Sequence, residues 1–449
     1  MGGSSRWEEN HPTTEGAGRY DRSVRLAAAT LAWLLVLPAL AGPTEAPPAA
    51  SSGLAFGLSL KGDGAALASG PFALKVPGGR GPLRLELARL AVDGARLRGT
   101  ARVRNESGLL LAGLVLDLES VSAVPKDGSS SRGSRLRLVE PVGFGDLLPG
   151  ESSPFLPFEA GPVPLGEDLL LVTILGAVSG LAAEAPVVVE GATRPVALDS
   201  DRSDRLYVAT AGVGRVLRLW PLGPGSPWEA ARPGAPPVGV ALRRRNGEIW
   251  VSTGGQLLEA FTPGRERPLR VDARGPAGVL RIDAKGTLRA ASGNAVLVFD
   301  GGRPGPARPL GPSSARVVSF DADSKGFVHA VVAEGESRRL VVDGPGGPVP
   351  FRASKGPGAE ALAAPLACRF DGEGALWVAA EAGEPEGAVL ARFVDGDASR
   401  PALSRLALAL LLGLAEEAAV PPIVDLAPGT DRRTWVLLGD GRVFGARPF

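Results

Sequence analysis

The stretch "RFDGEGALWVAA", residues 369–380, reads as the end of a strand, a tight polar turn and a second strand. Asp371 and Glu373 have the chemistry of cation ligands, and Trp377 that of a substrate platform. The stretch is not unique. Downstream of Pro186 its pattern recurs in "RPVALDSDRSDRLYVATAGVGRVLRLW" (194–220), "PPVGVALRRRNGEIWVSTGGQLLEAF" (236–261), "PAGVLRIDAKGTLRAASGNAVLVFD" (276–300), "ARVVSFDADSKGFVHAVVAEGESRRLVV" (315–342), "APLACRFDGEGALWVAAEAGEPEGAVLARFV" (364–394) and "PPIVDLAPGTDRRTWVLLGDGRVFG" (421–445). Each copy offers an apolar strand, a polar turn, a strand with a large residue, a loop of small residues and a third strand. The positions read as equivalent are Tyr207, Trp250, Leu288, Val328, Trp377 and Trp435. A period of about 40 residues in a chain of short strands is the mark of a propeller.

One small sheet cannot hide both its faces, so such blades pack radially, with the large second-strand residue filling the space between neighbours. Asp199, Asp283, Asp321 and Asp371 are then turn residues, their carboxylates accepting from nearby backbone N–H groups. Carboxylates that recur at the same turn argue against a private metal site in one blade. Trp377 becomes core.

Composition agrees with an all-β chain. Gly 62 and Pro 41 in 449 residues supply turns, and 44% apolar residues supply core, which separates the chain from the disordered class. The net charge of +1 gives no electrostatic footprint for nucleic acid. With one cysteine, Cys368, no disulfide forms within the chain. With two histidines, His11 and His329, a multi-His metal site is not available, and Ser-His-Asp chemistry would have to run through His329 alone, since His11 falls before the expected cleavage site at Ala39-Leu40-Ala41. His329 lies in "GFVHAVV", on a second strand, where a packed or edge position is expected.

Residues 1–41 have the parts of a signal peptide. Arg22 and Arg25 flank the apolar run Leu26 to Leu37, and Ala39-Leu40-Ala41 is an A-x-A cleavage site. The run is shorter than the roughly 20 residues of a membrane-spanning helix. An uncleaved anchor is the alternative. Residues 42–53 read as a linker, and the mature chain is expected in the periplasm or secreted, with no membrane span.

Residues 54–185 read as a β-sandwich. "LRLELARL" (83–90) and "SRLRLVE" (134–140) alternate Leu with charged residues at period two, as strands with one buried face do. "VRNESG" and "LLPGESSPFLPF" resemble bacterial immunoglobulin-like modules. Asn105-Glu106-Ser107 fits the glycosylation pattern, but a plain turn accounts for it.

The pattern P-x-G-V-x-x-D-x-x-G-x-L-W-V-A, in pieces at 237–251, 276–291 and 365–379, resembles the NHL-type six-bladed propellers. It is also similar to the class holding gluconolactonase-like and streptogramin-lyase-like proteins. The resemblance covers about 186–449 and implies six blades. "VVVE" (187–190) would be the outer strand of the last blade and close the ring. "LSRLALALLLGLAEEAAV" (403–420) reads as an outer strand followed by a short helix, or as a rim helix. Gluconolactonase-like relatives imply a divalent cation over the channel mouth. The corresponding first-strand positions here are Val196, Val238, Gly278, Val317, Leu366 and Ile423, which offer no ligands. The sequence therefore points to an exported non-catalytic binding or scaffold protein without a cofactor. Its partner would be a protein, peptide or glycan at the propeller rim, near Arg194, Arg215, Asn294 and Arg316. The alternative is a propeller hydrolase or lyase using a divalent cation.

Overall fold

A computed structural model describes residues 53–449, apart from 62–70, 129–130, 133–134, 165–167, 224–225, 301, 353–362, 382–386, 395–396 and 416–417. The expected signal peptide and nearly all of the linker lie outside these residues.

The repeats fold as a succession of antiparallel meanders. Pro195–Ser200, Leu206–Thr210, Arg215–Leu219 and Trp228–Ala231 make the first four-stranded sheet, and the same path is followed from Gly239–Arg243 to Leu269–Asp272. Further sheets begin at Leu280–Ile282, Arg316–Ala322 and Pro365–Phe370, and the last meander is Ile423–Pro428, Thr434–Leu438 and Arg442–Pro448. Most sheets pack on the next first strand to first strand, the third meets Arg316–Ala322 through Leu288–Ser292, and Ile423–Pro428 comes back against Pro195–Ser200. A ring of meanders closed in this way is a β-propeller.

The packing follows the expected logic. Apolar clusters straddle neighbouring sheets: Tyr207 and Val216 meet Val240 and Val251, Trp250 meets Leu280 and Phe299, and Trp435 meets Leu198 and Val208. Full burial of one such side chain stabilises the fold by about 1.5–3 kcal/mol. Trp377 is fully buried, as expected of core.

Two of the equivalences need correction. The ladders place Tyr207 opposite Asp199 and Trp377 opposite Arg369, and the same register puts Arg289 opposite Arg281 and His329 opposite Asp321. Arg289 and His329 are thus the true counterparts. Leu288 and Val328 lie one residue out of phase, so they face the preceding sheet instead.

The N-terminal part is two antiparallel sheets around one core. Phe72–Lys75, Pro82–Asp93, Arg96–Asn105, Leu156–Gly161 and Arg137–Leu138 form one; Leu54–Lys61, Leu169–Ala183, Leu110–Pro125 and Val142–Leu147 belong to the other. Leu85, Val103 and Phe158 pack against Leu60, Leu116 and Ile174. Asn105 is fully buried, donating from Nδ2 to the carbonyls of Leu109 and Leu147, so its tripeptide is the structural turn expected.

The second of these sheets does not stop at residue 185. The end of Leu169–Ala183 pairs with the chain's final strand (Leu181 with Pro448, Ala183 with Ala446), and Val187–Val188 then pairs with Val443 and Arg442. "VVVE" therefore does edge the last meander, but the edge begins at Leu181. One long strand serves both halves of the molecule.

Residues 403–420 contain the end of an outer strand, Asp397–Ser404, followed by the helix Arg405–Leu411. Ser404 caps the helix by accepting from the Ala407 N–H, while its hydroxyl donates to Asp146 at 2.9 Å. Ala407 and Leu408 pack with Leu110, Ala112 and Leu181, so the element is buried between the two halves. Among the described residues no helix is long and apolar enough to cross a membrane.

Candidate functional site

The inner strands bring a set of charges to the propeller axis that sequence reasoning missed. Asp199, Arg281, Asp321 and Arg369 hold one register position in four meanders and are all buried there, with Ala241 and Ala427 at that position in the second and last; Asp425, two residues before Ala427, is buried beside them. Arg369 Nη2 donates to Asp199 Oδ1 at 2.9 Å, and its Nε lies 3.5 Å from Asp321 Oδ2. Arg281 bonds Asp425 through Nη2, the Leu280 carbonyl through Nη1 and the Phe320 carbonyl through Nε.

Each of these carboxylates also ties its sheet to the following one. Asp199 Oδ2 accepts from Leu242 N at 2.8 Å, Asp321 Oδ2 from Phe370 N at 3.0 Å, and Asp425 Oδ2 from Leu198 N at 2.9 Å. Their second oxygens accept from the next residue of their own strand, Ser200, Ala322 and Leu426.

Asp199 and Asp321 are thus not turn residues. In "DSD" and "DAD" two aspartates sit two apart on the same strand face, and the second of each pair makes the turn. Asp201 accepts from Ser203 N and Arg205 N, and Asp323 from Phe327 N. Asp283 and Asp371 do hold turns as expected: Asp371 Oδ1 accepts from Glu373 N and Ala375 N, both at 2.9 Å, while Oδ2 takes Trp377 Nε1 and Arg392 Nε.

At the turn end the axis opens into a cavity of about 510 Å³. Arg369 forms part of its wall at 3% exposure, and its Nε and Nη1 have no hydrogen-bond partner. Burial works against the guanidinium charge, but Asp199, Asp321 and Asp425 outweigh it and hold the group above its ordinary pKa. Arg244 is pushed the other way by burial and is satisfied by Ser200 O, Ser200 Oγ and Pro428 O. Around the mouth stand Arg202, Arg245 and Lys285, all exposed and none ion-paired among the described residues. Nearby cations are already matched: Arg243 to Glu248, Arg289 to Asp283 and Arg392 to Asp371, each at 3.0 Å. The mouth is therefore electropositive.

This donor set does not suit the divalent cation that gluconolactonase-like proteins imply. Every axial carboxylate is bonded to two backbone N–H groups, and Arg281 and Arg369 lie where a cation would be repelled. Among the described residues no group of three or more His, Cys, Asp or Glu is arranged to hold a metal.

The residues expected to bind lie elsewhere. None of Arg194, Arg215, Asn294 and Arg316 lines the cavity. Arg194 is exposed with φ 51°, and its carbonyl accepts from Ala211 N. Arg215 lies 3.4 Å from Glu229. Asn294 donates to the carbonyls of Gly311 and Pro312, fastening a connection, and Arg316 is exposed at the start of its strand.

His329 is packed edge-on against Phe370 at 4.9 Å, and burial lowers its pKa despite Asp323. Cys368 is fully buried, and burial pushes its thiol up to about 12. A neutral, inaccessible thiol is inert. A disulfide reagent such as Ellman's is expected to leave the native protein unlabelled and to react fully in denaturant; rapid native labelling would show that the inner strands open.

No protein-family model matches the chain, and no curated protein matches it in sequence. Solved structures do resemble it in part. A streptogramin B lyase is 11% identical, with 85% of this chain and 97% of that chain covered at a TM-score of 0.40. The PQQ-bound aldose sugar dehydrogenase from Streptomyces coelicolor is 15% identical, covering 60% and 98% at 0.43. The WD40 β-propeller domain of Doa1 is 11% identical, covering 59% and 96% at 0.40.

Proposed function

We propose that this is an exported, non-catalytic binding or scaffold protein. A six-bladed NHL-like propeller, carried on an immunoglobulin-like sandwich, recognises a protein, peptide or glycan with the loops of one face. The observation that supports this most directly is the commitment of the axial carboxylates. Asp199, Asp321 and Asp425 spend their lone pairs on inter-sheet N–H groups and on arginines and so tie the ring together, while the first-strand positions that match the gluconolactonase-like cation site, Val196, Val238, Gly278, Val317, Leu366 and Ile423, offer no ligands. Binding then falls to the surface loops.

Metal analysis with thermal melts in Ca²⁺, Mg²⁺ and Zn²⁺ tests the reading. No stoichiometric ion and no saturable rise in melting temperature is the expected result. A stoichiometric ion with a large rise would overturn the reading in favour of a cation-dependent hydrolase or lyase, because an ion bound only by the folded state must raise its stability.

A further inference from the structure

We propose that the cavity at the turn end of the propeller axis is an anion site. It takes a compact polyanion whose carboxylate or phosphate groups pair with Arg202, Arg245 and Lys285 at the mouth. The proposal rests on the binding reading above and names the chemistry that the site selects.

The floor of the cavity carries the first reason. Arg369 is buried at 3% exposure, yet its Nε and Nη1 have no hydrogen-bond partner. Its charge is nonetheless matched, since Nη2 bonds Asp199 Oδ1 and Nε lies 3.5 Å from Asp321 Oδ2. With Arg244 beside it, the lining guanidinium groups balance Asp199 and Asp321, so the floor sets no net negative charge against an anion at the mouth.

The rim carries the second. Arg202, Arg245 and Lys285 come from the inner turns of three successive sheets and face one opening without carboxylate partners among the described residues. Every nearby acid is engaged: Asp283 with Arg289, Asp371 with Arg392 and Glu248 with Arg243. Unopposed like charges around a low-dielectric funnel attract and concentrate anions. At about 510 Å³ the space is that of a small-molecule site.

Calorimetric titration of the full chain at low ionic strength, with inorganic pyrophosphate and separately with citrate, tests this. Saturable 1:1 binding of either is expected, weakened about tenfold or more in the double variant Arg245→Glu, Lys285→Glu. Both residues are exposed, so the melting temperature of the ligand-free variant should stay close to that of the parent. A preference for pyrophosphate would identify a phosphate ligand, and one for citrate a carboxylate ligand. Absence of saturable binding, or equal binding by the double variant, would overturn the proposal. The cation melts are read separately: a bound metal alongside anion binding would sink the non-catalytic reading and leave the anion site standing.

Discussion

Replacing Asp425 by alanine should lower the free energy of unfolding by about 3–5 kcal/mol, the usual cost of stranding one partner of a buried ion pair. Three groups lose a partner at once, the Leu426 N–H among them. Arg281, at 1% exposure, keeps its charge with only the Leu280 and Phe320 carbonyls to face, and the Leu198 N–H, which the carboxylate held at 2.9 Å, is left unpaired in the ring's final seam. Denaturant midpoints at an unchanged slope would report the loss. Combining Arg281→Met with Asp425→Leu should recover a large part of it, since a packed apolar pair of similar volume often equals a buried ion pair. If the double variant is no better than Asp425→Ala, the inter-sheet N–H bond carries the stability rather than the charge pair.

Glu184→Ala should be nearly as damaging, by about 3 kcal/mol, and its effect should be local. Glu184 accepts from Arg433 Nε at 3.1 Å, from Arg433 Nη2 at 2.9 Å and from Arg447 Nη2, so its removal leaves two mostly buried guanidinium groups facing each other. Arg433 also reaches Asp204 at 2.6 Å. Burial raises the Asp204 pKa, but hydrogen bonds from Thr430 and Trp435 and the charge of Arg433 outweigh it, so the carboxyl titrates below its ordinary 3.8. Its contribution is therefore complete above that pH and is lost as acid takes the medium down through the lower folded value. Hydrogen exchange would localise the change: amides of Thr434–Leu438 and Arg442–Pro448 should lose protection well before those of Gly239–Arg243. Uniform loss across the sheets would contradict a local latch.

The repeat made most of the propeller legible, because a large residue after a polar turn, returning about every forty residues, suits radially stacked small sheets and little else. Trp250, Trp377 and Trp435 carried that signal. Where Arg289 or His329 takes the place of the large residue, the nearest apolar side chain mimics the pattern one position early, and the expected register slips with it. The axial charges were harder. A single aspartate before a turn reads as a turn residue, and only the cross-ring partners show which ones point inward: Asp425 bonds Leu198, 227 positions away, and Asp199 bonds Leu242, 43 positions on. The spacing D-x-D in "DSD" and "DAD" was the available clue, together with arginines at 281 and 369 in otherwise apolar strands. The electropositive mouth had no linear signature, since Arg202, Arg245 and Lys285 belong to different repeats.

The strand Leu169–Ala183 lies along Leu110–Pro125 for most of its length and ends hydrogen-bonded to the chain's last residues. That makes the molecule mechanically a single piece. The strand is shared by two cores, so fraying of its Leu181–Ala183 end would free the flank of the ring's last meander without first breaking the sandwich.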